Sequence, residues 1–333
     1  MVKGKRFVLQ KIFEGFPKES DLKVEEYELP PVKNGEFLAE AMYLSVDPYM
    51  RAYVSDSSLI GTTMIGSQVA KILESKNPKF PPGKYVVGYF GWQTHTVASG
   101  EQAGKALPPF LIPDLGELPI SLALGVLGMP GNTSYFGLLE LCQPKQGETV
   151  VVSGAAGAVG SHVGQIAKIK GCTVIGIAGS DEKGKWLTEE LGFDHFINYK
   201  TANIPEELKK AAPKGIDCYF DNVGGELSSA VLHQMNLYGR ISVCGSIANY
   251  NDTTRAVAPV VQPSIVFKQL KMEGFVVKRW ENRWMEGIKQ NLEWIKQGKV
   301  KYHETVTEGF ENMFKAFTGM LKGENTGKAI VKV

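Results

Sequence analysis

The sequence has little cysteine, and what it has is not arranged around anything. Cys142, Cys172, Cys218 and Cys244 stand far apart in 333 residues, with no Cys-x-x-Cys pair. A disulfide framework belongs to small secreted chains, so these read as reduced thiols, three of them in or beside apolar runs. Histidine is equally sparse. His95, His162, His195, His233 and His303 are scattered without HxxxH or HExxH spacing, and none stands close to a cysteine. Zinc requires clustered Cys, His and Glu ligands, so no metal site is expected. No tyrosine has a lysine four residues on, which excludes the Tyr-x-x-x-Lys donor pair of short-chain dehydrogenases. No Gly-x-Ser-x-Gly nucleophile turn occurs either.

An excess of charge of one sign is also missing. Lysine and arginine total 37 against 35 aspartate and glutamate, a net charge of +2 with no basic block. Nucleic acid is therefore not an indicated partner. No long apolar run exists. The stretch from Leu118 to Pro130 is broken by Gly125, Gly128 and Pro130, too short to span a bilayer. The start, MVKGKRFVLQKIFEG, carries charges and no apolar signal region. The expectation is a soluble, cytoplasmic protein without a membrane partner.

What is present is a large apolar content, 43%, and 37 glycines. At roughly 150 residues per domain, the length suggests about two domains. Residues 1–127 read as strands and loops: FVLQKIF, LKVEEYEL, EFLAEAMYLSV, SQVAKILES and KYVVGYFGWQTHTVAS, punctuated by PPVKNG and NPKFPPG. From residue 128 the character changes. TSYFGLLEL is helical, and strands then alternate with helices from TVVVSG to RISVCGSI, followed by KMEGFVVK and WMEGIKQNLEWIKQG. Continuous apolar strands with intervening helices imply a parallel sheet covered on both faces, a doubly wound Rossmann order. The tail, with a strand near Tyr302–Thr307, the helix FENMFKAFTGMLKG and the strand KAIVKV, is mixed again. The expectation is a β-rich domain of residues 1–127 and 300–333, with an α/β domain of residues 128–299 inserted in it.

The run TVVVSGAAGAVG (149–160) matches Gly-x-Gly-x-x-Gly with alanine in the first place, between an apolar strand and a helix. A small residue turns the chain tightly, Gly157 lets the backbone approach a pyrophosphate, and Gly160 lets the helix pack on the strand. Free amides at the helix start would hold the phosphates. The next strand ends at Gly179-Ser180, followed by Asp181-Glu182-Lys183. Small residues leave room for a 2′-phosphate and Lys183 offers it charge, which favours NADP. Asp181 could instead serve the ribose of NAD, and Lys183 could be an ordinary surface lysine. A hydride-transfer enzyme without metal needs hydrogen-bond donors for developing negative charge. Tyr250, after the strand Arg240–Gly245, and Tyr49, in SVDPYMR, are candidates; either could equally be a packing tyrosine.

Several runs together resemble the zinc-independent medium-chain dehydrogenase/reductases. They are VDPYMR (46–51), SLALGVLGMPGNTSYFGLLE (121–140), AAGAVGS (155–161), GSDEK (179–183), FDNVGGE (220–226), ISVCGSI (241–247) and EGFENMFKAFTGMLKGENTGKAIVKV (308–333). The resemblance runs from end to end. It implies a Rossmann domain inserted into a GroES-like catalytic domain, and NADPH as cofactor. Ala156, Gly157, Ala158 and Val159 would hold the pyrophosphate, with Lys183 and Tyr199 on the 2′-phosphate. Asn222, the stretch Cys244, Gly245, Ser246, Ile247, Ala248, Asn249 and Tyr250, then Phe275, Val276, Val277 and Asn325 would line the rest. It further implies a homodimer joined near KMEGFVV.

The implied reaction is reduction of the carbon–carbon double bond of a lipid enone or enal, 15-oxoprostaglandins and 2-alkenals included. Hydride would go to the β-carbon, with the enolate held by Tyr250 or the nicotinamide ribose. Oxidation of a leukotriene 12-hydroxyl would be a second activity. Two departures from the family pattern occur: the loop 53–66 at the substrate entrance, and Asn249 where the pattern has threonine. A quinone reductase or a non-catalytic NADPH-binding relative are the alternatives.

Overall fold

The computed structural model describes residues 2–101 and 107–333. It divides into two compact units. The first contains the chain up to Gly125 together with Glu304–Val333, and the second is Val126–His303. The division falls slightly inside the pattern-based limits of 127 and 300, for identifiable reasons. The Val126 carbonyl accepts Asn291 Nδ2 at 3.2 Å, and Gln165 bonds both main-chain groups of Lys301, at 2.7 and 3.0 Å. These bonds tie both ends to the second unit.

In the first unit, β1 (Lys3–Leu9) pairs antiparallel with β2 (Leu22–Glu28). β3 (Phe37–Ser45) leads through the short helix α1 (Tyr49–Tyr53) to β4 (Gln68–Ser75). β5 (Tyr85–Gly88), β6 (His95–Ala98) and β7 (Phe110–Leu111) follow. The run KYVVGYFGWQTHTVAS thus makes two strands, not one. The chain turns between them at Gly91, whose φ of +82° suits glycine. β5 then pairs with β4, and β6 with β3.

The second unit opens with α2 (Met129–Phe136), which widens into a π-helical turn over Gly137–Cys142. There follow β8 (Thr149–Ser153), α3 (Gly160–Ile169), β9 (Thr173–Ala178), α4 (Asp181–Lys185), β10 (His195–Asn198) and α5 (Ile204–Ala211). β11 (Ile216–Asp221), α6 (Gly225–Leu232), β12 (Met235–Val243), α7 (Gln262–Phe267), β13 (Lys271–Gly274) and α8 (Trp284–Lys296) complete it. The strand order is β10-β9-β8-β11-β12-β13, and every pair is parallel. The central strands are apolar on both faces: Val150, Val151, Val152, Ile175, Ile177, Tyr219 and Phe220 are fully buried. This explains their unbroken hydrophobic runs. The chain winds outward from β8 through β9 to β10, then crosses to β11, so the topological switch lies between β8 and β11. Ligands of such sheets bind outside the carboxyl ends of the strands at this switch.

The tail returns to the first unit as β14 (Glu304–Glu308), α9 (Met313–Leu321) and β15 (Lys328–Lys332). β15 lies between β14 and β3, giving the order β14-β15-β3-β4-β5-β7 with β6 also on β3. Met313, Phe317 and Met320 of α9 pack with Phe7, Leu9, Met50, Met64 and Trp92 in one apolar cluster.

Candidate cofactor and active-site residues

The glycine turn joins β8 to α3 at the switch point. Gly154 takes φ +60°, and the Ala155 amide donates to Ile177 O at 3.0 Å, tying the turn to β9. A Cβ on Gly160 would sit 2.3 Å from Gly154 O and 2.8 Å from Ala155 Cα, so only glycine lets α3 start here. Gly157 is different. A Cβ there would meet within 4 Å only Gly154 O, at 3.3 Å, so its other surroundings are open. The Gly157, Ser161 and His162 amides donate within the turn, to Gly154, Gly157 and Val159 O at 3.1, 3.0 and 3.1 Å, and the backbone over Gly157–Val159 is half-exposed at the start of α3, where the helix dipole favours an anion. The turn therefore fits a pyrophosphate.

At the end of β9, Ser180 caps α4 by accepting the Lys183 N–H at 3.3 Å. Lys183 is half-buried; burial and, after it, the neighbouring Lys200 ammonium lower its pKa. A Cβ on Gly179 would come within 3.0 Å of the Tyr199 hydroxyl and 3.1 Å of Lys200 Cε. Tyr199 is thus brought to the same strand end. Asp181, the alternative ribose acceptor, accepts Asn198 Nδ2 at 2.8 Å. The residues at this end fit a 2′-phosphate.

On the other side of the switch, Asp221 closes β11 and is 1% exposed. Its Oδ1 accepts Tyr219 OH at 2.8 Å, Ser153 Oγ at 3.1 Å, and the amides of Val223 and Gly224 at 3.0 and 2.9 Å; Oδ2 accepts Ser228 Oγ at 2.6 Å. Its carbonyl accepts the amides of Cys244 and Gly245 at 2.8 and 3.2 Å. One side chain thereby links the carboxyl ends of β8 and β11 to the start of α6, and its main chain reaches β12. Sequence reasoning passed over Asp221. The available signal was an acid ending an otherwise apolar strand. Asn222 is held by Nδ2 to Ser153 O at 2.7 Å, and its carbonyl and that of Val223 accept the amides of Ile247 and Ala248.

The Tyr250 hydroxyl turns back over this loop. It accepts the Ser246 N–H at 3.2 Å, and a Cβ on Gly245 would lie 2.9 Å from it. Asn249 accepts Ser246 Oγ at 2.9 Å and donates to Asp252 at 2.9 Å, fixing the turn that carries the tyrosine. Burial and then Asp221 push the Cys244 thiol up to about 12. The Phe275 side chain points into an aromatic cluster: its ring lies 6.2 Å from Phe220 and 5.5 Å from Trp280, and it fills the space above Gly137. The residue as a whole remains partly exposed. Val276 is exposed and Val277 buried.

Tyr49 and Asn325 lie in the first unit. Tyr49 stands on α1, its ring 6.3 Å from Tyr89 and 5.4 Å from Tyr53. Burial, then Asp47, hold its hydroxyl well above the ordinary phenol pKa. Beneath it, buried Lys328 donates to Asp47 Oδ1 at 3.0 Å and to the carbonyls of Val46 and Ala329 at 2.7 and 2.9 Å. Ser45 Oγ also donates to Asp47. The VDPYMR run is thus anchored to β15. Asn325 Nδ2 donates to Gly327 O at 2.8 Å in the turn before that strand.

A family model described as the N-terminal domain of oxidoreductase matches residues 5–106, and one described as zinc-binding dehydrogenase matches residues 158–295. The chain is 54% identical to prostaglandin reductase 1 of Bos taurus, over 100% of both chains. The chain belongs to the zinc-independent medium-chain dehydrogenase/reductases. Within that family it is also 41% identical to an NADP(+)-dependent 2-alkenal reductase of Nicotiana tabacum, over 100% of this chain and 98% of the other. The crystal structure of CurA from Vibrio vulnificus in complex with NADPH superposes with a TM-score of 0.91 at 39% identity, covering 99% of each chain. Among the described residues of this medium-chain reductase, no group of three or more His, Cys, Asp and Glu side chains is gathered to hold a metal. No described helix is long and apolar enough to cross a membrane.

Proposed function

We propose that the protein reduces the α,β carbon–carbon double bond of unsaturated ketones and aldehydes with NADPH, 15-oxoprostaglandins and 2-alkenals among them. The observation carrying this reading is the full-length match to reductases of that kind. NADPH, when bound, supplies the hydride that goes to the β-carbon. The chain holds and orients it. The Ala156–Val159 turn takes the pyrophosphate and Lys183 with Tyr199 the 2′-phosphate. Asn222, the 244–250 loop and residues 275–277 take the remainder within the second unit.

Tyr250 donates a hydrogen bond to the substrate carbonyl oxygen, where negative charge gathers. Losing one such donor typically costs about 10²–10³ in rate. We assign Tyr49 a packing role, because its ring stacks within its own unit and its hydroxyl is buried. The test follows NADPH absorbance with a 15-oxoprostaglandin, a trans-2-alkenal and a quinone, for the parent chain and Tyr250→Phe. Turnover of the first two, lost in the variant, is expected. Turnover of the quinone alone, or of nothing, removes the assignment, and an unchanged Tyr250→Phe removes Tyr250 from it.

The reading includes a homodimer. β13 is an edge strand, and Phe267, Val266, Val276 and Met272 around it are exposed by 81, 67, 61 and 44%. An open sheet edge flanked by exposed apolar side chains favours pairing with another strand, here that of a second copy. The reading also places the protein in the cytoplasm, supported by four cysteines that all stand as free thiols.

A further inference from the structure

β9 and β10 end side by side, Asn198 opposite Ala178 in parallel register. The chain leaves β9 through Gly179 and Ser180 into α4, and leaves β10 through Tyr199 and Lys200. Asn198 joins the two exits. Its Nδ2 donates to Asp181 Oδ1 at 2.8 Å, and its Oδ1 accepts the Lys200 N–H at 3.1 Å. The Tyr199 amide donates to Ala178 O at 3.1 Å, so the turn is fixed on both sides. In this arrangement the Lys200 side chain crosses Gly179, where any Cβ would come within 3.1 Å of Cε.

The Lys200 ammonium is near enough to Lys183 to depress its pKa, second only to burial. The Glu182 carboxylate also acts on Lys183, less strongly than Lys200 does, and a phosphate dianion at this strand end would meet both ammonium groups. The acid that an NAD site would turn to the ribose hydroxyls is engaged here with Asn198.

We infer that Lys200 is a second cation of the 2′-phosphate site, and that Asp181 and Asn198 form the latch that sets it there. This rests on the NADPH reading above. Lys200 supplies charge that Lys183 alone does not, and Asp181 serves the latch instead of the ribose. Discrimination between NADPH and NADH is therefore shared between two lysines from different strand exits.

The test is equilibrium binding of NADPH, NADH, 2′,5′-ADP and 5′-AMP to the full chain, measured by calorimetry, for Lys200→Ala, Lys200→Arg, Asn198→Ala and Lys183→Ala. Lys200→Ala should weaken NADPH and 2′,5′-ADP about tenfold, as expected for one lost charge-assisted contact, and leave NADH and AMP nearly unchanged. Lys200→Arg should restore most of the loss, and Asn198→Ala should cost roughly threefold through a loosened turn. If Lys183→Ala lowers the preference for NADPH and Lys200→Ala does not, the proposal is wrong and the cofactor reading stands. If neither does, both are wrong. Equal weakening of NADPH and NADH by Lys200→Ala also overturns the proposal, since it marks a structural role.

Discussion

Asp221 is the point at which the second unit's ligand edge can be loosened by one atom. Asp221→Asn preserves shape but replaces one carboxylate oxygen with a donor. The carboxylate accepts three hydroxyls and two amides, all within 3.1 Å. An amide cannot accept all five, so at least one buried donor is left unpaired or reversed. Each such group costs about 1–3 kcal/mol, and hydrogen bonds to a charged acceptor are worth more than neutral ones. A loss of about 1–3 kcal/mol is expected for Asp221→Asn, and roughly 3–5 kcal/mol for Asp221→Ala, which strands the whole set. For a unit of this size that lowers Tm by about 2–4 °C per kcal/mol.

Thermal unfolding followed by circular dichroism, with and without NADPH, reads this. NADPH affinity should fall in Asp221→Asn as well, because Asn222 and the adjoining loop lose their anchor. A Tm within 1 °C of the parent, together with unchanged NADPH affinity, would refute the reasoning, since the network would then carry neither stability nor position.

Two further outcomes can be checked directly. His162 is buried with Nε2 on Asn291, and burial lowers its pKa to about 4. The unfolded chain takes up this proton near pH 6.5 and the folded chain does not. Stability from this residue is therefore present above about pH 6.5 and drains away as pH falls toward 4, by about 3 kcal/mol, so urea midpoints of His162→Gln should fall less over that window than those of the parent. Phe267→Glu, at the end of α7 just before β13, should shift the mass measured by light scattering from two chains to one at micromolar concentration; an unchanged mass would show that this surface is not the dimer contact.

The alternation of strand and helix was readable because the central strands are buried on both faces. Val150–Val152 or Tyr219–Phe220 can hardly be anything but interior strand. Gly160 was readable for a related reason: only glycine passes a backbone oxygen at that distance. Other features escaped because they are set by partners remote in sequence. The α7 helix went unrecognised, since its exposed Val266 and Phe267 give no core-facing stripe. Asp221 gathers Ser153, Tyr219 and Ser228 from three different elements, and nothing in the spacing announces that convergence. Lys200 stands beside Tyr199, yet its nearness to Lys183 depends on two strands ending level.

The place of β15 beside β3 also orders events during synthesis. β3 leaves the ribosome early, but its neighbour on one side arrives only after nearly all of the intervening chain has been made. The second unit is contiguous and can close on itself while the first segment waits with an open edge. The nascent first unit is thus exposed to mispairing for most of the translation time, and its sheet is finished last although its strands emerge first.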